Sequence, residues 1–299
     1  MPTAVYGTPP SDVLETPAGA LQVSPLIPGS QDIALIEDGS LSEVVALVPP
    51  GAIEARFTLA QALRVLAPGG TLHAAAPKDK GGARIKKTLE SFGCQVAETS
   101  RRHHRICAAE RPKAPDIAQA LAEGAPRLLP VGLWSQPGVF SWDRLDPGSE
   151  LLLANLPALS GRGADFGCGI GWLSQAVIAS PAVQELTLID LDRRAVDCAS
   201  HNLDDPRVRI RWGDVRSLGD ELSDLNFVVM NPPFHDGGAE DRVLGQAFIR
   251  AAARSLRKGG TLWLTANRHL PYEAVLAEAF KSVRPVADAG GYKVYEARR

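Results

Sequence analysis

The chain lacks the cysteine spacing of a metal or redox centre. Its four cysteines, Cys94, Cys107, Cys168 and Cys198, are scattered with no CxxC pair. That argues against a zinc site or a disulfide framework and fits reduced thiols in a cytoplasmic protein. No apolar run approaches the ~18 residues of a membrane span. The proline-rich start has neither the basic nor the apolar region of a signal peptide. A strong charge bias is missing too: 32 Lys and Arg stand against 34 Asp and Glu, for a formal net charge of −2. The molecule as a whole is therefore no polycation, and a nucleic-acid partner has to be met by a local basic surface. These absences predict a metal-free cytoplasmic globular protein that does not enter membranes, and they leave its oligomeric state open. With 299 residues, 45% of them hydrophobic, each half is long enough to bury a core of its own.

The chain does contain a repeat. Leu66-Ala-Pro-Gly-Gly-Thr-Leu72 resembles Leu256-Arg-Lys-Gly-Gly-Thr-Leu262, and each follows an amphipathic helical stretch. Leu59, Ala62, Leu63 and Leu66 keep helical spacing in the first copy. Val243, Leu244, Ala247, Phe248, Ala251, Ala252 and Leu256 keep it in the second. Each glycine pair suits a left-handed helix end, leading into strands at Thr71 to Ala75 and Thr261 to Ala266. Upstream, Val44-Val-Ala-Leu-Val-Pro-Pro50 resembles Phe227-Val-Val-Met-Asn-Pro-Pro233. Aligning the proline pairs sets Val48 opposite Asn231. Duplication is the expectation, with a first copy that has lost this asparagine and has no glycine-rich loop. Pro112, Pro115, Pro126 and Pro130 surround a short helical patch and mark the junction. The expected domains are 1–125, non-catalytic, and 126–299, catalytic.

The second half carries the candidate chemistry. Asp165-Phe-Gly-Cys-Gly-Ile-Gly171 follows a short apolar segment and precedes a helical pattern with Trp172, Leu173, Ala176 and Val177 on one face. Glycines there let backbone approach a ligand. Leu186 to Ile189 reads as a strand ending in Asp190, with Leu191 beside it. Asp190 could take ribose hydroxyls, or cap the helix that follows. Val208 to Trp212 alternates with Arg207, Arg209 and Arg211 and reads as an edge strand. Asp214 and Val215 follow it, placed to meet an adenine ring or to form a plain turn. Phe227 to Met230 is a buried strand that stops at Asn231-Pro232-Pro233-Phe234, because neither proline can donate to a sheet ladder. Asp165, Asp190, Asp214 and Asn231 thus sit at successive strand ends of a doubly wound α/β sheet of Rossmann type, where ligands bind. Gly167, Gly169 and Gly171 depart from the GxGxxG of dinucleotide sites, and no pyrophosphate-binding residue is evident. An acidic loop suits a cation such as S-adenosylmethionine better than a diphosphate.

The Asp165–Gly171 run resembles motif I of class I methyltransferases. Asn231 to Phe234 resembles the [ND]PP[YF] motif of enzymes that methylate a nitrogen conjugated to a π-system. His235-Asp-Gly237, the segment from Pro137 to Ser149 and the ending Gly291-Tyr-Lys-Val-Tyr295 narrow the resemblance. They are similar to bacterial ribosomal RNA guanine-N2 methyltransferases, the small-subunit family above all, over about Val131 to Arg299. The resemblance implies S-adenosylmethionine as cofactor, held by Asp165, Gly167, Gly169, Gly171, Asp190, Leu191, Asp214 and Val215. Asn231 and Pro232 would hold the amine, with Pro233 stiffening the turn and Phe234 stacking on guanine. Phe140, Asp146 and Ser149 would line the methionine end, while Arg144 would be solvated. The resemblance implies ribosomal RNA or the small ribosomal subunit as partner, and a degenerate methyltransferase-like N-terminal domain. Large-subunit RNA, an adenine N6 or a glutamine amide are the alternative acceptors, and an RNA-binding assembly protein is the non-enzyme alternative. Cys168 reads as a packing residue, and His235 as a possible substrate contact. His103 and His104 lack metal-ligand spacing. From Lys78 to Arg105 there are eight Lys and Arg against three acids, either a solvated face or a surface for phosphates.

Overall fold

Short apolar runs alternating with amphipathic stretches give strands and covering helices. The computed structural model describes residues 2–218, 221–233, 235–236, 239–240 and 242–299. The chain divides into two compact units, Met1–Pro126 and Arg127–Arg299. No described helix is long and apolar enough to cross a membrane.

The first unit contains β1 (Thr3–Tyr6), β2 (Leu21–Gln22), β3 (Leu41–Leu47), α1 (Ala52–Val65), β4 (Leu66–Pro77), α2 (Ala83–Ser91), β5 (Val96–Arg101), β6 (His104–Glu110) and α3 (Ala118–Gly124). Its sheet order is β2-β1-β3-β4-β6-β5. Pairing is parallel from β2 to β4 and antiparallel from β4 to β5. Val44 and Leu72 of the sheet pack with Leu63 of α1 and Ile85 and Leu89 of α2.

The second unit opens with a small hairpin, β7 (Arg127–Leu128) and β8 (Trp134–Ser135). There follow α4 (Pro147–Asn155), β9 (Gly161–Phe166), α5 (Trp172–Ile178), β10 (Val183–Asp190), α6 (Arg193–Asn202), β11 (Val208–Trp212) and β12 (Leu225–Met230). Then come β13 (His235–Asp236), β14 (Ala239–Glu240), α7 (Arg242–Ser255), β15 (Leu256–Asn267), α8 (Glu273–Ala279), β16 (Ser282–Ala289) and β17 (Tyr292–Arg298). The sheet order is β11-β10-β9-β12-β15-β17-β16, and β11 is an edge strand, as its alternating arginines imply. Pairing is parallel from β11 to β15, whereas β17 runs antiparallel to both its neighbours. The central strands read as unbroken apolar runs because helices cover both faces. Val228 and Met230 face Phe248, Ile249 and Leu276 on one side. Phe227 and Val229 face Leu152, Leu173 and Val177 on the other.

Three local expectations are corrected. Ala176 is exposed and Ser174 takes its place in the buried face of α5, because that hydroxyl has a carboxylate to serve. Val243 is 71% exposed, so the buried stripe of α7 starts after it. The glycine pairs do not end the helices. Both helices stop four residues earlier, and Gly69 and Gly259, at φ of 81° and 77°, turn the chain at the start of β4 and β15.

Among the described residues the two sheets repeat strand for strand, except that the first has no counterpart of β11. Register fixes which residues correspond. Val44 pairs with Leu72 as Val228 pairs with Leu262, so Leu47, rather than Val48, takes the place of Asn231. By the same logic Val5 stands where the second unit has Asp165. The prolines are offset by one residue, which is why aligning them misplaces the match.

Gly163 is required by close approach: a Cβ there would sit 2.1 Å from the Phe227 ring, and both residues are buried at the sheet centre. Gly163→Ala is expected to destabilise the second unit by about 1–3 kcal/mol through overpacking, read as a lower midpoint in urea unfolding.

Candidate active site

The site lies along the carboxyl ends of β11, β10, β9 and β12. Asp165, near the end of β9, is fully buried, and its Oδ2 accepts a 2.6 Å hydrogen bond from the Ser174 hydroxyl. Its Oδ1 is buried with no partner among the described residues. Burial pushes this carboxyl up to about 7, against the pull of the Ser174 hydrogen bonds. The chain then turns through Gly167, Gly169 and Gly171, at φ of 75°, 55° and 94°, where a side chain would strain the backbone. Beyond the Cβ position of Gly169 nothing lies within 4 Å, so the loop presents bare backbone to open space.

Asp190, at the end of β10, grips this loop. Its Oδ2 accepts from the Gly169 N–H at 2.8 Å and its Oδ1 from the Asp192 N–H at 2.8 Å. Burial pushes it up to about 6, although these amide bonds favour its charge. A carboxylate has about four acceptor positions, so capacity for ligand hydroxyls remains. The helix-capping alternative belongs to its neighbour: Asp192 caps α6. The Leu191 carbonyl accepts from the Trp212 indole at 2.8 Å, and the Gly213 N–H reaches the Asp190 carbonyl at 2.9 Å. These bonds tie the third strand end to the second. Asp214 caps the short turn opened by Val215, which is buried, and its carboxylate is paired with Arg216 at 2.7–2.9 Å. Its environment holds it below the usual range: burial raises it, and the Arg216 bonds outweigh that. The turn reading of Asp214 is therefore realised, and any adenine contact has to share this carboxylate with Arg216.

Asn231 follows β12. Its neighbours Val229 and Asp165 are cross-strand partners, which sets Asn231 level with the glycine loop. Pro233 Cδ comes within 3.9 Å of the Cβ position of Gly167. The Asn231 amide donates from Nδ2 to Asp146 Oδ2 at 2.9 Å and to Ser149 Oγ at 3.0 Å. Asp146 is itself fixed, since the same Oδ2 caps α4 by accepting from the Ser149 N–H at 3.0 Å. Tyr292 donates to its Oδ1 at 3.4 Å. With both amide hydrogens engaged, the Asn231 Oδ1 is left as an oriented acceptor. Asp146 and Ser149, expected to line the methionine end of the cofactor, also hold the asparagine. Phe140 is 54% exposed and Arg144 is exposed. Phe234 lies outside the described residues. Burial raises the Cys168 thiol well above its ordinary range, consistent with packing. Among the described residues no three His, Cys, Asp or Glu side chains are grouped to hold a metal ion.

Sequence reasoning missed Ser174, Tyr292 and Asn202. The Asn202 Nδ2 donates to the Ile170 and Trp134 carbonyls, both at 2.9 Å, joining the glycine loop to β8. A polar residue at the end of an amphipathic helix gives no sequence signal of such a role.

Residues 130–296 match the family model described as the methyltransferase small domain. The chain belongs to this methyltransferase family. A Shewanella baltica protein named ribosomal RNA small subunit methyltransferase C is 36% identical over 165 residues, 55% of this chain and 48% of its own length. A Pseudomonas paraeruginosa protein of that name is 34% identical over 272 residues, covering 87% of this chain and 80% of its own. The structure of a T. thermophilus 16S rRNA N2 methyltransferase, RsmC, in complex with AdoMet and guanosine has a TM-score of 0.73 and 28% identity to this chain. The match covers 88% of this chain and 74% of that one.

In a methyltransferase, Asp146 is expected to be a positioning residue. Asp146→Ala removes both the helix cap and a support of Asn231. It should cost about 1 kcal/mol in stability and lower kcat for methyl transfer roughly tenfold to a hundredfold, with little change in cofactor KM. Asp146→Asn, which keeps an acceptor oxygen, should restore most of both. A KM that rises as kcat holds would contradict this.

Proposed function

We propose that this methyltransferase moves a methyl group from S-adenosylmethionine to the exocyclic N2 of a guanine in small-subunit ribosomal RNA, acting in the cytoplasm on the RNA or the subunit. The observation that carries the reading is the Asn231 amide, pinned by Asp146 and Ser149 at the end of β12 beside the glycine loop. The likeness to proteins named for this reaction supports it. The residues present suit the cofactor. The buried Asp165 oxygen, which has no partner among the described residues, favours a cation that carries no phosphate. Because that oxygen is shielded from solvent, it attracts through the loop across a low-dielectric path. Gly167, Gly169 and Gly171 offer backbone at close range, Asp190 with Leu191 faces the ribose, and Asp214 with Val215 borders the adenine.

When bound, S-adenosylmethionine supplies a methyl group on a sulfonium that departs as a neutral thioether. The protein's part is to present the nucleophile. An aryl amine is a poor nucleophile because its lone pair is delocalised into the ring. Asn231 Oδ1 and the Pro232 carbonyl accept its two hydrogens, so the lone pair localises on the nitrogen in line with the methyl group. Pro232 and Pro233 keep both acceptors in place, and Phe234 stacks on the extruded base. The surplus proton leaves to water after transfer, and no side chain has to act as base. In the first unit Val5 and Leu47 occupy the positions of Asp165 and Asn231, so residues 1–126 bind no cofactor and transfer no methyl group.

The test is incubation with methyl-labelled S-adenosylmethionine and unmodified small subunits, large subunits and their naked RNAs, followed by digestion to nucleosides. Label in N2-methylguanosine from small-subunit material is the expected result. Label confined to large-subunit RNA, to N6-methyladenosine or to protein glutamine contradicts the target, and no label in any acceptor contradicts the activity.

A further inference from the structure

The glycine loop has little of its own to hold it still. Gly167, Gly169 and Gly171 have no side chains to anchor it, and beyond the Cβ position of Gly169 it faces open space. Asp190 takes hold of it through the Gly169 N–H. One such bond leaves the next peptide free to swing, and a second hold comes from the end of α6.

Asn202, the last residue of α6, uses its whole side-chain amide there. Its Oδ1 accepts from the Trp134 N–H at 2.7 Å, and its Nδ2 donates to the Trp134 carbonyl and to the Ile170 carbonyl, each at 2.9 Å. Towards β8 the amide imitates one peptide of an added strand, since it engages both backbone groups of Trp134. Its remaining hydrogen goes to the loop. Packing runs the same way. The Ile170 side chain is fully buried, clustered with Leu133 and Val139, which flank β8, and with Ala195 and Cys198 of α6. The Trp134 ring lies 5.6 Å from the His201 ring. A Cβ on Gly171 would come within 2.8 Å of Leu203 Cδ1, so this glycine admits the end of α6 against the loop. Consecutive loop residues are therefore held from two elements, Gly169 by the end of β10 and Ile170 by the end of α6.

We propose that Asn202 is a positioning residue of the cofactor site. By tying the Ile170 carbonyl to the backbone of β8 it keeps the glycine loop in its binding conformation, and so sets the affinity for S-adenosylmethionine. The inference rests on the cofactor reading of the glycine loop and is independent of which nitrogen accepts the methyl group. Its physical content is a population: a ligand that binds one conformation of a loop loses affinity in proportion to the time the loop spends elsewhere. A loop released for nine-tenths of the time binds about tenfold less tightly, and one well-made hydrogen bond is worth up to about that factor. Asn202 and Asp146 thus serve different steps. Asp146 holds the group that presents the amine, so its loss lowers kcat. Asn202 holds the seat of the cofactor, so its loss raises the Kd.

The test uses the full chain. S-adenosylmethionine affinity is read by isothermal titration, and methyl transfer in a single turnover at saturating cofactor. Asn202→Ala should raise the Kd about tenfold and leave the single-turnover rate within about twofold. Asn202→Asp keeps the acceptor for the Trp134 N–H but sets an oxygen against the Ile170 and Trp134 carbonyls, so it should raise the Kd at least as much. Hydrogen exchange without cofactor reads the loop itself. The Gly169 amide should exchange about tenfold faster in both variants, with β12 as slow as in wild type. Unchanged Kd and unchanged loop exchange in both variants, even with a lower urea midpoint, would reduce Asn202 to a brace of the fold and overturn the proposal. A rate loss at saturating cofactor as large as the loss of affinity would overturn it too. Label in an acceptor other than guanine, or in none, with Kd and exchange changed as stated, strikes the reaction reading and supports the clamp. Failure of wild type to bind S-adenosylmethionine overturns the cofactor reading and the clamp with it.

Discussion

Asn231→Ala is expected to lower kcat for methyl transfer by about a thousandfold, with the Kd for S-adenosylmethionine changed by no more than about threefold. The side chain contributes nothing to the glycine loop or to Asp190, whose partners are backbone amides. Its removal therefore spares the cofactor's seat. In the proposed mechanism, what disappears is the acceptor that draws a hydrogen of the amine and lets the nitrogen lone pair face the methyl group. A single well-placed polar group aimed at a reacting centre is commonly worth about 10²–10³ in rate, and here alignment is lost as well. Isothermal titration with S-adenosylmethionine and single-turnover transfer to small subunits separate the two effects. A variant that loses cofactor binding in parallel with rate would place Asn231 in the cofactor pocket instead.

Asp165→Asn should do the opposite: weaken the cofactor and strengthen the fold. The carboxyl titrates near its ordinary 3.8 in the unfolded chain and near 7 in the folded one, where burial raises it. Between these values the folded chain keeps a proton that the unfolded chain releases. Stability therefore falls as pH rises through that window and is lowest above 7. Asparagine has no charge to bury and retains an oxygen for the Ser174 hydroxyl. Above pH 7 the variant should be more stable by roughly 1–3 kcal/mol, a rise in Tm of several degrees, with no gain at pH 4. Cofactor affinity should drop by about tenfold to a hundredfold, the worth of an interaction with a charged group. In wild type, affinity should tighten as pH rises to about 7 and then level off, as Asp165 loses its proton. In the variant the remaining pH dependence should move down toward 6, where Asp190 titrates. Calorimetry across pH 4–8 reads all of this, and equal stability of the two proteins at pH 8 would refute it.

Much of this site was legible in the sequence because its parts are local. The glycine loop, the acid before it, the acid ending β10 and the Asn-Pro-Pro stop each announce a strand end within a few residues. A strand buried on both faces and an edge strand with alternating arginines were legible as well, whereas the order β11-β10-β9-β12 follows from strand pairing. What stayed hidden depends on contacts between distant residues. Nothing in Asp146-Pro-Gly-Ser149 says that its two polar side chains meet an amide more than eighty positions away. Ser174 is buried against Asp165 by the pitch of α5, and a small polar residue there is indistinguishable from an exposed one. The repeat was visible from its glycine pairs, yet the residue replacing Asn231 was displaced by one, because loop prolines do not report strand register. Asp214 was read by its position, while its pairing with Arg216 follows from the short turn that both share.

The central claim is that Asp146 and Ser149 act by holding Asn231. A double-mutant cycle on single-turnover methyl transfer tests it most directly, using Asn231→Ala, Asp146→Ala and the pair. If Asp146 works through Asn231, adding Asp146→Ala to Asn231→Ala lowers the rate no further, and the coupling equals the whole effect of Asp146→Ala alone. Independent losses that multiply in the double variant would contradict the account.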